Sequence, residues 1–239
     1  MASGTLPAVL PLARILVDFD GTACLHDVGE HLLVEFGDPS WPEYDDRVDR
    51  GEMGLREAAD RQVELLDGSR EVMLAFALRH CPLDPTFPPF VGWAERAGVP
   101  LTLVSDGFGF YVEPILETAG LGRLQALSNR MLSDGDDHRL LRPHGHPVCV
   151  GCGTCKMNAV LAAREHGPVA FVGEGQSDRY GALYADVVFA KDALVEIARA
   201  DGVPFLPWDT FDDVRTALEE LWEPPGAVAP ERCPGWRTA

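Results

Sequence analysis

The stretch ARILVDFDGT at residues 13–22 combines an apolar run with a polar end that contains two aspartates. A short, continuous apolar run predicts a strand buried on both faces, as strands of parallel sheets are. Similar runs follow at three places: PLTLVSD at 100–106, PVAFVG at 168–173 and DVVFA at 186–190. Helical patterns separate these runs, so the sequence predicts an α/β fold with a doubly wound parallel sheet.

Helices are predicted after the strands, at 109–121, 155–167, 193–202 and 210–221. The segment 125–141 holds two short stretches around a polar SDGDD turn, which predicts a small hairpin.

Residues 25–95 interrupt the alternation of strands and helices, because they contain no strand-like run. Helical segments are predicted there at 28–36, 54–67 and 69–80. We therefore predict a helical cap over 25–95, inserted into a core formed by 1–24 and 96–222. Extra helices packed on the same core are the alternative. Residues 223–239 are rich in Pro and Gly and predict a flexible tail.

The charge and cysteine content limit the possible functions. The net charge of -18 does not suit nucleic acid or an anionic membrane surface, whereas it suits divalent cations if carboxylates converge. We expect no export signal, because the first residues lack a basic region, and no run has the length of a membrane span. The six cysteines are too few for a disulfide scaffold, so we expect reduced thiols in the cytoplasm. The oligomeric state stays open.

Polar side chains follow three of the predicted strands. The carboxyl ends of the strands are where parallel sheets bind ligands. They belong to Asp18-Phe19-Asp20-Gly21-Thr22, Ser105-Asp106-Gly107 and the stretch from Gly173 to Asp178. Lys156, one of only two lysines, opens the helix before the third of these strands. Each motif alone is also compatible with an ordinary turn. In this order, and with the lysine between them, they predict a single site.

The residue types at that edge suit phosphoryl chemistry. Asp18, Asp20, Glu174 and Asp178 would repel one another unless a cation lay among them, and Mg²⁺ prefers such oxygen ligands. Lys156, Ser105 and the backbone at Asp106 and Gly107 are expected to bind the phosphate. One carboxylate attacks phosphorus, while a second, two residues on, transfers protons.

On these motifs the chain resembles the haloacid-dehalogenase (HAD) superfamily, in the phosphoserine-phosphatase-like branch with a small helical cap. The resemblance implies that Asp18 is the nucleophile and Asp20 the general acid/base. It also implies that Asp18, the backbone carbonyl of Asp20 and Glu174 hold Mg²⁺, with Asp178 nearby through a water, and that Ser105 and Lys156 bind the phosphate. Glu174 departs from the family pattern, in which this motif more often begins with Asp.

Softer signals concern the substrate. Leu55-Arg56-Glu57-Ala58, Phe189-Ala190-Lys191-Asp192 and Leu206-Pro207-Trp208 resemble the methionine-salvage phosphatases, which act on 2-hydroxy-3-keto-5-methylthiopentenyl-1-phosphate. Phosphoserine phosphatase is the alternative. The resemblance to that enzyme implies an arginine that binds the substrate carboxylate, but the corresponding position here is Asp60. A transferase that passes the phosphoryl group to another hydroxyl, and a non-catalytic metal-binding or interaction protein on the same scaffold, are further alternatives.

A glycine-rich loop precedes Lys156 and carries two histidines and three cysteines: His144, His146, Cys149, Cys152 and Cys155. These residue types could form a zinc site, but zinc sites usually pair two separated ligand groups. We therefore interpret the segment as a loop with reduced thiols that shapes the approach to Lys156.

Overall fold

The computed structural model describes residues 12–220. These residues form seven strands and ten α-helices, in the following order: β1 (Arg14–Val17), α1 (Val28–Phe36), α2 (Pro42–Asp49), α3 (Leu55–Val63), α4 (Arg70–His80), α5 (Phe87–Ala97), β2 (Leu101–Phe108), α6 (Gly109–Thr118), β3 (Gln125–Asp134), β4 (Asp137–Leu141), α7 (Lys156–Arg164), β5 (Val169–Gly173), α8 (Arg179–Tyr184), β6 (Val187–Ala190), α9 (Asp192–Asp201), β7 (Leu206–Pro207) and α10 (Phe211–Glu220).

The four strands predicted from apolar runs and the helices between them are confirmed, as is the α/β class. The prediction missed α2, α5, the short helix α8 and the two-residue strand β7. Helix α2 buries none of its described residues, so its sequence lacks the apolar periodicity by which helices are recognised. Helix α5 begins with Phe87-Pro88-Pro89 and was not predicted from the sequence, although proline is tolerated in a first turn.

The chain divides into two compact units. Within the described residues, the first comprises 12–18, 84–102 and 156–220, and the second comprises 19–83 and 103–155. The division passes between Asp18 and Phe19 and again between Cys155 and Lys156. The boundaries of a cap over 25–95 remain a prediction, and the proposed tail lies outside the described residues.

In the first unit, β1, β5, β6 and β7 are parallel neighbours in that order. Val17 pairs with Val172, and Gly173 pairs with Ala190, so the carboxyl ends of these strands lie side by side. The backbone N–H of Asp18 donates to the carbonyl of Val172 at 2.9 Å. This register brings the residues that follow β1 and β5 together.

An aromatic cluster supports the same unit behind the strands. The rings of Phe87 and Phe211 lie 4.9 Å apart, and those of Trp208 and Phe211 lie 5.1 Å apart. All three side chains are buried, and the Trp208 indole N–H donates to the carbonyl of Gly173 at 3.4 Å. Helices α5 and α10 are thereby fixed to the end of β5.

In the second unit, β3 lies between β2 and β4. Strands β3 and β4 form the predicted antiparallel hairpin, with Met131 opposite Leu140. Helix α4 packs against α1 and α6, while α3 packs against α2 and β4. No helix within residues 12–220 has both the length and the apolar character that crossing a membrane requires.

Candidate active site

Lys156 is the centre of the first group of candidate residues. Its ammonium lies 2.7 Å from an oxygen of Asp18 and 2.6 Å from an oxygen of Asp178, and it donates to the Ser177 hydroxyl at 2.8 Å. The side chains of Lys156 and Asp178 are at most 1% exposed. A buried ammonium is tolerated only when it is paired and hydrogen-bonded, and these contacts meet that condition.

The loop after β5 holds Asp178 in place. One oxygen of Asp178 accepts hydrogen bonds from the backbone N–H groups of Glu174 at 2.8 Å and Gly175 at 3.0 Å. A Cβ atom at Gly173 would lie 2.5 Å from the Asp178 carboxylate carbon, so only glycine allows this close approach. The loop therefore presents the backbone of Glu174 and the side chain of Asp178 at the end of β5.

Asp18, Glu174 and Asp178 form a group of carboxylates that suits a metal ion. Each offers one oxygen, and these three oxygens lie within 4.8 Å of one another. Hard, anionic oxygen donors are what Mg²⁺ requires, and Mg²⁺ keeps several waters besides a few carboxylates. The donor set therefore fits magnesium. The metal ligand predicted at Asp20 is its backbone carbonyl, and this role stays a prediction.

Asp20 is the centre of the second group. It accepts hydrogen bonds from the Val28 backbone N–H at 3.1 Å, from the Ser105 hydroxyl at 3.1 Å and from the Tyr111 hydroxyl at 3.3 Å to each oxygen. Tyr111 is completely buried. Its removal from water, together with the negative charge of Asp20, raises the pKa of Tyr111 well above its usual value. Tyr111 is thus a neutral donor that fixes the Asp20 carboxylate.

Ser105 and Gly107 lie beside Asp20 at the end of β2. The Gly107 backbone N–H donates to the Ser105 hydroxyl oxygen at 2.8 Å. A Cβ atom at position 107 would collide with the Tyr111 hydroxyl, an Asp20 carboxylate oxygen and the Ser105 hydroxyl oxygen. Glycine is therefore required here so that the backbone can approach these three polar groups.

The carboxylate of Asp106 faces the cysteine loop. It accepts hydrogen bonds from the backbone N–H groups of Thr154 at 2.6 Å and Gly153 at 3.4 Å. The Asp106 carbonyl accepts from the Asn129 side-chain amide at 2.5 Å. Asp106 was predicted to contribute to phosphate binding, and in these contacts its side chain anchors the loop that leads to Lys156.

Two arginines attach the cysteine loop to α3. Arg56 donates to the carbonyl of Cys152 at 3.0 Å, and Arg142 donates to Asp60 at 2.8 Å. A hydrogen bond with Cys155, followed by burial, raises the pKa of the Cys152 thiol, which therefore stays protonated. Within residues 12–220, Asp18, Glu174 and Asp178 form the only group of three His, Cys, Asp or Glu side chains close enough to hold a metal ion. The loop thus has no preformed zinc site in the part of the chain that the structure describes.

Comparison with known families decides where the chain belongs. The family model for haloacid dehalogenase-like hydrolases matches residues 15–182, which include every candidate residue described above. The chain belongs to the HAD family. It is a hydrolase of this family, and the two relatives described next are phosphatases.

Two of these relatives are 2-hydroxy-3-keto-5-methylthiopentenyl-1-phosphate phosphatases. The protein from Bacillus velezensis is 28% identical over 216 residues, which cover 87% of this chain and 91% of the relative. The protein from Geobacillus kaustophilus is 31% identical over 212 residues, which cover 87% and 96%. A solved phosphoserine phosphatase with a phospho-aspartyl intermediate analogue matches with a TM-score of 0.64 and 18% identity, covering 86% of this chain and 96% of that chain. This structural match shows the doubly wound α/β fold of HAD phosphatases.

Sequence reasoning did not single out two residues near the candidate residues: Tyr111, in the predicted helix 109–121, and Asn129, in the predicted hairpin 125–141. Tyr111 contacts Asp20, 91 residues away, and Asn129 contacts Asp106, 23 residues away. Neither residue belongs to a local motif, so only the fold brings them to the site.

Proposed function

We propose that this HAD-family protein hydrolyses the phosphate monoester of a small metabolite, with Asp18 as the nucleophile. The observation that carries the proposal is the buried Lys156 ammonium between Asp18 and Asp178, next to Glu174. The buried cation pairs with the Asp18 carboxylate and fixes it in one orientation. A fixed carboxylate oxygen is needed for attack on phosphorus.

In the first step, an oxygen of Asp18 forms a bond to phosphorus and the bond to the alcohol oxygen breaks. Asp20 protonates the departing alcohol. In the second step, Asp20 takes a proton from water, which attacks phosphorus and releases Asp18 and inorganic phosphate. Lys156, the Ser105 hydroxyl and the backbone N–H groups of Asp106 and Gly107 bind the phosphoryl oxygens. Mg²⁺ held by Asp18, Glu174, Asp178 and the Asp20 carbonyl would supply positive charge against those oxygens.

The substrate we favour is 2-hydroxy-3-keto-5-methylthiopentenyl-1-phosphate, because the two relatives above carry that activity in their names at 28% and 31% identity. Asp60 offers no positive charge for a substrate carboxylate and is instead paired with Arg142. This pairing disfavours phosphoserine. We further propose that the enzyme works in the cytoplasm, where its cysteines stay reduced.

The test is phosphate release from this substrate and from p-nitrophenyl phosphate with Mg²⁺. We expect turnover by the wild type and its loss in Asp18→Asn, while Asp49→Asn, the same change at an exposed site, keeps full activity. Acid quenching followed by mass spectrometry should find a phosphoryl group on the peptide that contains Asp18. Absence of turnover of both esters by the folded wild type with Mg²⁺ would refute the proposed function.

A further inference from the structure

A cavity of about 150 Å³ lies in the second unit, between α1, α2 and α3. Much of its wall is apolar and comes from Leu33, Trp41, Val63 and Phe108. Apolar walls with a few convergent polar groups are typical of sites for small organic ligands. The size suits a group of a few heavy atoms rather than a polymer.

The cavity reaches the neighbourhood of Asp20. Gly29 belongs to its lining, and a Cβ atom at Gly29 would lie 3.9 Å from the Tyr111 hydroxyl, which donates to Asp20. The ring of Phe108, another lining residue, lies 5.8 Å from the ring of Tyr111. A group that leaves phosphorus toward Asp20 therefore has the cavity directly beside it.

The polar part of the lining is acidic. It consists of Asp27, Glu30, Asp45 and Gln62, and among residues 12–220 no lysine or arginine contributes to the lining. Asp45 of α2 accepts a hydrogen bond from the Gln62 side chain of α3 at 2.8 Å. This bond fixes the Asp45 carboxylate at the cavity wall.

The acids of this wall already disfavour further negative charge. Partial burial raises the pKa of Asp45; the hydrogen bond from Gln62 opposes this rise, and the charges of Asp27, Asp49 and Asp46 add to it. Asp27 and Glu30 add two further carboxylates, both exposed, to the same wall. An anionic ligand would be repelled by these carboxylates and would meet no lysine or arginine in the lining. A neutral or cationic ligand would not be repelled.

We propose that Asp45, held by Gln62, is a specificity-determining residue that excludes phosphate esters with a negatively charged alcohol part and admits neutral or cationic ones. This inference rests on the proposed phosphatase function and deepens it. The repulsion acts on binding of the alcohol part, so it changes KM more than kcat. Discrimination of this kind works by rejecting the wrong ligand rather than by new contacts to the right one.

The test compares two phosphate esters of similar shape and different charge: 3-methylbutyl phosphate and 3-phosphonooxypropanoate. Each is measured as a substrate and as a competitive inhibitor of p-nitrophenyl phosphate hydrolysis, so that a slow substrate still reports its affinity. We expect the affinity of the wild type for the neutral ester to exceed its affinity for the anionic ester by a ratio of about ten or more. Asp45→Asn should reduce this ratio by about five-fold, and Asp45→Lys should reduce it further. Gln62→Leu, which releases Asp45, should give an intermediate ratio.

Glu43→Gln is the matched control, because it removes one negative charge from the same helix at an exposed residue outside the described lining. It should leave the ratio unchanged. Equal ratios in the wild type, Asp45→Asn and Glu43→Gln, with wild-type turnover intact, would overturn the inference and leave the phosphatase function standing. Absence of wild-type turnover of every ester would instead count against the phosphatase function itself.

Discussion

Lys156 is a single residue on which both stability and chemistry depend, because its ammonium compensates two buried carboxylates. Replacing it with methionine leaves Asp18 and Asp178 without that cation. We expect Lys156→Met to lower the free energy of unfolding by about 3–5 kcal/mol and to abolish phosphatase activity. Urea unfolding in the presence of a chelator measures the first effect.

Lys191, the other lysine of the chain, provides the control for this prediction. Its ammonium lies 4.3 Å from the ring centre of Trp208. The three carboxylates that could hold a metal ion are those of Asp18, Glu174 and Asp178, and Lys191 is not one of their described partners. A cation–π contact of this kind contributes about 1 kcal/mol or less, so Lys191→Met should be a mild change. Equal losses of stability in the two variants would contradict the role assigned to Lys156.

Tyr111 is a positioning residue for Asp20. Its hydroxyl stays protonated at working pH, because burial raises its pKa, and it donates to both oxygens of Asp20. Tyr111→Phe should lower kcat by about ten-fold, since a hydrogen bond to a charged acceptor contributes about 1.5 kcal/mol or more. KM should change little, because the substrate itself is not contacted.

Steady-state kinetics tests this prediction, with Tyr44→Phe as the control. Tyr44 lies on α2, and its side chain is only half-buried. A rise in KM with unchanged kcat in Tyr111→Phe would assign the hydroxyl to substrate binding instead.

At the scale of elements, the loop before α7 depends on Asp106 at the end of β2. Two backbone N–H groups, of Gly153 and Thr154, donate to its carboxylate. We expect Asp106→Ala to accelerate hydrogen exchange at these two amides, because each loses its acceptor, and to lower kcat/KM. The stability cost should be about 1–3 kcal/mol.

Asp136→Ala, in the exposed turn between β3 and β4, is the matched change for comparison. It should leave both the exchange rates of the loop and kcat/KM unchanged. If Asp106→Ala lowers kcat/KM while the loop amides stay protected, Asp106 acts on the substrate directly and the anchoring role is wrong.

At the scale of the whole molecule, the net charge of -18 and the three converging carboxylates favour cation binding. A ligand that binds only the folded state stabilises it, by about 2.7 kcal/mol when its concentration is 100 times the Kd. We therefore expect Mg²⁺ to raise the Tm, and a chelator to reverse this change. Glu174→Gln should weaken the response, while the exposed Glu35→Gln should keep it. The same Mg²⁺-dependent rise in Tm in wild type and Glu174→Gln would exclude Glu174 as a ligand.

Much of the architecture was predictable because the strands β1, β2, β5 and β6 are buried along nearly their whole length. Burial on both faces requires continuous apolar sequence, and such runs are visible without a structure. Helix α2 was not predictable in this way, because it contributes nothing to the core. The candidate catalytic residues could be predicted because short motifs at strand ends carry them, and their catalytic roles stay predictions.

What the sequence by itself determined is therefore the α/β class, the positions of its buried strands and the membership of Asp18, Asp20, Ser105, Lys156 and Glu174 in one set of motifs. These depend on local patterns of burial and on residue types that only certain chemistry needs. The tertiary structure alone decided which side chains meet: Lys156 with Asp178, Tyr111 with Asp20, and Asp45 with Gln62 at the cavity wall. Such contacts join residues on different elements, and their geometry follows from how the elements pack rather than from any stretch of neighbouring residues.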